Sequence, residues 1–181
     1  LKIKVEGTDF ENSWPVWVYP EEITKPESDV YITASFAEAD QLLKQSKKVL
    51  LNPALDDLNG VEGRFVPVVW SPVHFPDQPG TMGLLIDTEH KALEIFPTQE
   101  YTQWQWWDLC KQSKSIILDD ISVKPIVRVI DNFVTNHSMG NLFEVKVGDG
   151  KLLFYYIDIQ NNLQGRPAAQ KLKQSLINLN T

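Results

Sequence analysis

Cysteine, methionine and histidine are scarce in this chain of 181 residues, which holds one, two and three of them respectively. The single cysteine, Cys110, excludes an internal disulfide and any metal site built on several thiolates. His74, His90 and His137 are too scattered for a spaced ligand motif, and neither H-E-x-x-H nor C-x-x-C occurs. No metal and no cofactor is therefore expected. No apolar run approaches the ~20 residues that span a bilayer, and the chain opens on an alternating strand pattern instead of a signal peptide. Basic residues are in deficit, 17 against 24 acidic, and the net charge of −7 repels a phosphate backbone, so nucleic acid is not expected as a partner. The longest basic cluster, Lys44 to Lys48, closes a predicted helix, where cations complement the C-terminal dipole.

What remains is ordinary globular composition, 43% hydrophobic and 23% charged, without a low-complexity tract. A chain of this length builds one core and buries roughly 70% of the surface its unfolded form exposes, so residues 1–181 are read as a single domain. Starting inside a strand suggests that Leu1 is a cut edge, with residues 1–20 serving as connecting strands from an upstream domain.

Leu1 to Val5 alternates and Val16 to Tyr19 is aromatic and β-branched, so both read as strands, forming a hairpin or two separate edges. Asp29 to Thr33 predicts a strand, Ser35 a helix cap for the stripe Phe36, Ala39, Leu42 and Leu43, and Lys48 to Leu51 a second strand. That order is the signature of a parallel crossover. The proline-rich stretch from Ser71 to Gly83 reads as a loop with held geometry, and Met82 to Phe96 as a broken helix stopped by Pro97. Ile126 to Ile130, Leu142 to Val147 and Leu152 to Ile157 predict strands, the last two paired across Gly148-Asp149-Gly150, and Arg166 to Leu179 predicts a closing helix with Pro167 in its first turn. The expected fold class is α/β: a mixed, mostly parallel sheet flanked by helices, as in class I glutamine amidotransferases and flavodoxins, with an antiparallel hairpin near the C-terminus.

Three of the six tryptophans fall within Trp104-Gln105-Trp106-Trp107. In a helix Trp104 and Trp107 share a face; in a strand Trp104 and Trp106 do, and helix is favoured. Trp104, Trp106 and Trp107 are candidates for stacking on a sugar ring or anchoring a partner, with His74 from the proline-rich loop and Asp131 orienting hydroxyls; packing in the core or between domains is the favoured alternative. Asp131, Asn132 and Asp158 end predicted strands, where open α/β folds place ligands, though turn and cap duty competes. Asp87 and His90 read as a cap and a surface ion pair. Cys110 lacks the glycine-flanked elbow of an activated thiol, and adjacent pairs such as Asp56-Asp57 and Asp119-Asp120 diverge too readily to cleave a glycoside. No catalytic residue is assigned.

Several strings occur in a familiar order: Trp14-Pro15-Val16-Trp17-Val18-Tyr19-Pro20, Phe65-Val66-Pro67-Val68-Val69-Trp70-Ser71-Pro72, Pro79-Gly80-Thr81-Met82-Gly83-Leu84-Leu85, the Trp-Gln-Trp-Trp segment and Pro125-Ile126-Val127-Arg128-Val129-Ile130-Asp131-Asn132. Together they resemble the C-terminal accessory region of bacterial glycoside hydrolase family 2 proteins. The close, from Gly148 through Asp158 to Arg166-Pro167-Ala168, is similar to the amidotransferase-like domain of β-galactosidases. The resemblance implies a non-catalytic accessory domain that serves assembly or shapes a substrate cleft, or alternatively a carbohydrate-binding module. It implies upstream catalytic and β-sandwich domains as partners, homo-oligomer formation and a periplasmic or secreted location. The family's catalytic glutamates have no counterpart in these residues.

Overall fold

The computed structural model describes residues 1–20, 23, 28–63 and 81–178. A short hairpin, β1 (Lys2–Lys4) and β2 (Glu11–Ser13), stands apart as a two-stranded sheet. The body begins with β3 (Tyr31–Thr33), α1 (Phe36–Lys44) and β4 (Lys48–Leu51). Ser35 accepts a hydrogen bond from Glu38 N at 3.3 Å, which satisfies one of the orphan donors at the start of α1. Ala39 and Leu43 are buried from that helix, and β3 and β4 pair in parallel on either side of it in sequence.

β5 (Val61–Glu62), β6 (Thr81–Ile86), a 3-10 turn (Lys91–Leu93), α2 (Trp106–Lys111), β7 (Lys114–Ile117), β8 (Pro125–Asp131), β9 (Ser138–Val147), β10 (Gly150–Tyr155) and α3 (Pro167–Ile177) follow. Eight strands make one mixed sheet with β9 as its hub. It pairs β10 through residues 142–147, β7 through Met139 and Gly140, and β8 through residues 138–143. Two pairings are parallel, β3 with β4 and β4 with β10, and the rest are antiparallel. The expected mostly parallel, helix-flanked α/β fold is therefore corrected: the chain is mostly β, and among the described residues its helices are three and short. A parallel sheet needs a crossover of a dozen or more residues for each strand added, and β8, β9 and β10 follow one another too closely for that.

Alternation along the central strands divides the core. Leu50, Leu153 and Tyr155 face α2 and α3, together with Leu109, Leu172 and Leu176; Val49, Leu51, Phe154 and Tyr156 face α1. The β9–β10 turn has Gly148 at φ 60°, and at Gly150 a Cβ would lie 2.8 Å from Leu43 O, so the close approach of α1 requires glycine there.

Two other expectations change. Val16 to Tyr19 is not a strand; the hairpin's second strand is Glu11–Ser13, between the two stretches read as strands. Met82 to Phe96 is not an α-helix: its first part belongs to β6, with Leu84 and Ile86 buried beside β8, and only Lys91–Leu93 after the break is helical, as a 3-10 turn. Short apolar runs fit either period, and here the neighbouring strand decided. Of the predicted loop from Ser71 to Gly83, residues 71–80 lie outside the described residues, and Thr81 to Gly83 are not loop but the start of β6.

Candidate functional site: an aromatic cleft beside an amphipathic hairpin

The four residues Trp104 to Trp107 are divided by α2, which starts at Trp106. Trp106 is 0% exposed: its ring meets Phe96 edge-on at 5.4 Å, and its indole Nε1 donates to Thr98 Oγ1 at 2.8 Å. Trp104, in the turn before the helix, is 70% exposed, and Trp107 is 45% exposed with Lys111 Nζ 5.3 Å from its ring centroid.

Trp104 forms one wall of an open cleft of about 740 Å³. The facing wall comes from the N-terminus, with Leu1 and Ile3 of the hairpin and then Trp14, Val16, Trp17 and Tyr19. Gln105, Asp108 and the start of α3 at Arg166 to Ala168 complete it. The polar side chains here are engaged with one another. Tyr19 Oη donates to Gln105 Oε1, and Gln105 Nε2 donates to Pro97 O at 2.9 Å. Burial pushes the Tyr19 phenol up to about 12, so it stays a protonated donor at neutral pH. Asp108 accepts from Gln112 Nε2 at 2.8 Å and from Arg166 Nε at 2.6 Å. Arg166 also donates to Asn161 O at 3.0 Å and Asp158 O at 2.9 Å, which fixes its guanidinium between α2 and the loop before α3.

The hairpin contributes more than two wall residues. Leu1, Ile3 and Val5 share one face by the two-residue period, and their register partners Trp14, Asn12 and Phe10 lie on the same face. Apart from Asn12 this face is apolar, and each of its hydrophobic residues is exposed. Lys2, Lys4 and Glu11 occupy the other face.

The remaining residues singled out in the sequence do not meet at this cleft. Asp131 accepts from Asn132 N at 2.7 Å, Thr135 Oγ1 at 2.7 Å and His137 N at 2.8 Å, while Asn132 Oδ1 accepts from Val134 N at 2.8 Å and Thr135 N at 3.0 Å. Both organise the β8–β9 loop. The Asp158 carboxylate caps Gln160 N at 3.1 Å and Asn161 N at 3.0 Å, and only its backbone oxygen reaches the cleft's Arg166. His90 Nδ1 accepts from Ala92 N at 3.2 Å, and Asp87 pairs with Lys124 at 2.6 Å. Cys110 is buried on α2, and burial pushes its thiol well above the usual range, which suits packing and not nucleophilic attack. His74 lies outside the described residues. Among the described residues, no three His, Cys, Asp or Glu side chains cluster to hold a metal, and no helix is long and apolar enough to cross a membrane. The wall residues Leu1, Ile3, Trp14, Trp17, Tyr19 and Arg166 were not foreseen as a site, although the spacing of Trp14, Trp17 and Tyr19 carried the signal.

A family model described as "Domain of unknown function (DUF8487)" matches residues 30–179. The chain belongs to this family. The match covers the eight-stranded body with α1, α2 and α3, and the hairpin and the Trp14 to Tyr19 wall precede it. No curated protein matches the chain.

Proposed function

We propose that this chain is a non-catalytic accessory domain that docks against another protein surface through its aromatic cleft and the apolar face of its hairpin. One observation carries the reading: among the described residues the charged and amide side chains lining the cleft are bonded within the chain, while Leu1, Ile3, Trp14, Val16 and Trp104 around them are exposed. Catalysis needs a group free to move a proton or attack, and Asp108, the one carboxylate lining the cleft among the described residues, is held by Arg166 and Gln112. An apolar patch whose own polar side chains are satisfied matches the hydrophobic centre of a protein interface, whose polar contacts lie at the rim. A two-stranded hairpin is marginal by itself in water, so this one gains its stability from whatever covers it. The resemblance noted in the sequence supports a carbohydrate-degrading glycoside hydrolase as the parent polypeptide, with upstream catalytic and β-sandwich domains as the docked surfaces and a periplasmic or secreted location.

Hydrogen exchange on the intact parent polypeptide tests this against the 181-residue chain alone. Amides from Lys2 to Val18 and around Trp104 are expected to slow markedly in the intact protein; equal exchange in both refutes docking.

The exposed ring of Trp104 favours a second reading, carbohydrate binding by stacking. It is the weaker one, because sugar hydroxyls need polar groups that are still open to them. Tryptophan fluorescence titrated with galactosides and glucuronides is expected to stay flat; a saturable shift abolished in Trp104→Ala would establish sugar binding instead.

A further inference from the structure

Strand parity in the hairpin shows how a partner can attach. Leu1 and Trp14 exchange both backbone bonds, Leu1 N to Trp14 O at 2.7 Å and Trp14 N to Leu1 O at 2.8 Å. Such pairs alternate in an antiparallel ladder with pairs whose N–H and C=O point outward. With Ile3 opposite Asn12 and Val5 N bonded to Phe10 O at 3.0 Å, the odd residues bond inward. Lys2 and Lys4 therefore present their N–H and C=O groups to the outer edge of β1, where no strand lies among the described residues. On the outer edge of β2, Ser13 N is already taken by Asn12 Oδ1 at 2.8 Å, so that edge is blunted.

The side chains along the open edge are sorted as well. Leu1, Ile3 and Val5 point to the apolar face beside Trp14, and Lys2 and Lys4 to the opposite one. Glu11 sits 2.9 Å from Lys2, one carboxylate for two ammonium groups. We propose that the β1 edge takes a third strand from the protein surface it docks against, a segment in which apolar and acidic residues alternate. This rests on the docking reading above and adds its mode. The partner's backbone bonds to Lys2 and Lys4, its apolar residues extend the face that lines the cleft, and its carboxylates lie across from the lysines. A second copy of this chain is disfavoured as the occupant: every antiparallel pairing of β1 (Lys2–Lys4) with itself through the outward bonds sets lysine opposite lysine, which repels.

Two capped pentapeptides, Val-Glu-Val-Glu-Val and Val-Lys-Val-Lys-Val, probe the edge at low salt and up to millimolar concentration, followed by amide chemical shifts and tryptophan fluorescence. The glutamate peptide is expected to shift the Lys2 and Lys4 amides and to bind roughly tenfold tighter than the lysine peptide. In the Lys2→Glu/Lys4→Glu double variant, with folding checked by circular dichroism, the preference inverts, and N-methylation of the peptide backbone abolishes binding. Equal binding of the two peptides, binding that survives N-methylation, no binding by either, or self-association through β1 in sedimentation each overturns strand addition. If any of these occurs while the exchange protection in the parent polypeptide holds, docking stands by another mode; if that protection is absent too, both readings fall.

Discussion

Three neighbouring tryptophans should answer to mutation in three different ways, and Trp106 gives the largest number. A buried aromatic of this size removes ~150–250 Å² from water, which at about 25 cal/mol per Å² is worth ~4–6 kcal/mol. Truncation keeps part of that through relaxation, and large-to-small changes of this kind cost ~3–5 kcal/mol in practice. Trp106→Ala also strands the Thr98 hydroxyl bonded to its indole, adding about 1 kcal/mol. Against a total stability of ~5–15 kcal/mol, that variant sits near the edge of folding. Trp106→Phe is the better probe. It retains a ring against Phe96 but loses the hydrogen bond and part of the volume, for an expected loss of roughly 2 kcal/mol. Trp107→Ala, half-exposed beneath Lys111, should cost about 1 kcal/mol. Trp104→Ala should stay within about 0.5 kcal/mol, because a side chain 70% exposed in this structure has little to lose. Urea unfolding followed by far-ultraviolet circular dichroism measures all of them. Equal losses at positions 104 and 106, or a neutral Trp106→Phe, would refute the division of the cluster between core and cleft.

Arg166→Ala removes bonds to Asp108, Asn161 O and Asp158 O together, and is expected to cost ~1–3 kcal/mol in urea unfolding while loosening the cleft floor, with Arg166→Lys recovering little because an ammonium cannot reproduce the fork. His137 Nδ1 lies 2.6 Å from Asp119 Oδ2, a hydrogen bond that raises the imidazole above its ordinary 6.5 and, with Ser138 N, holds the carboxyl below its ordinary 3.8. The raised histidine stabilises fully below its unfolded value and loses that as pH rises through its folded value; the depressed aspartate stabilises above its unfolded value and loses that as pH falls through its folded one. The gap in urea midpoint between wild type and His137→Ala should therefore be widest between those two ordinary values and narrow on either side; a gap that widens above about pH 7 refutes the pairing. Cys110 should resist a maleimide reagent in the folded protein and react once unfolded in urea; prompt native-state labelling would contradict its burial.

Elements set by local chemistry were legible. Ser35 before an apolar stripe gave α1, Pro167 gave the first turn of α3, and Gly148-Asp149-Gly150 gave the β9–β10 turn. Pairing was not, because the direction in which strands meet is decided by contacts far apart in the chain. β10 runs antiparallel to β9, which precedes it by a tight turn, yet parallel to β4, about a hundred residues earlier. The early β3–α1–β4 crossover is real, and extending its logic over the whole sheet produced the wrong fold class. β7 and β5, four and two residues long, are too brief to show a period at all.

The site was harder to foresee because composition marks where apolar surface is abundant but not which of it the chain covers itself. Trp106 and Trp104 look alike in sequence, and helix α2 buries one and leaves the other at the cleft. The alternation Leu1, Ile3, Val5 against Lys2 and Lys4 is as plain as any in the chain, but in the body of the sheet the same alternation ends in a buried face. In the hairpin it ends in an open one, next to a cleft whose charged and amide side chains are already bonded among the described residues. Those two facts together favour a protein partner: a ligand that must be oriented atom by atom requires unsatisfied donors and acceptors, whereas a second apolar surface requires only that none be left exposed to it.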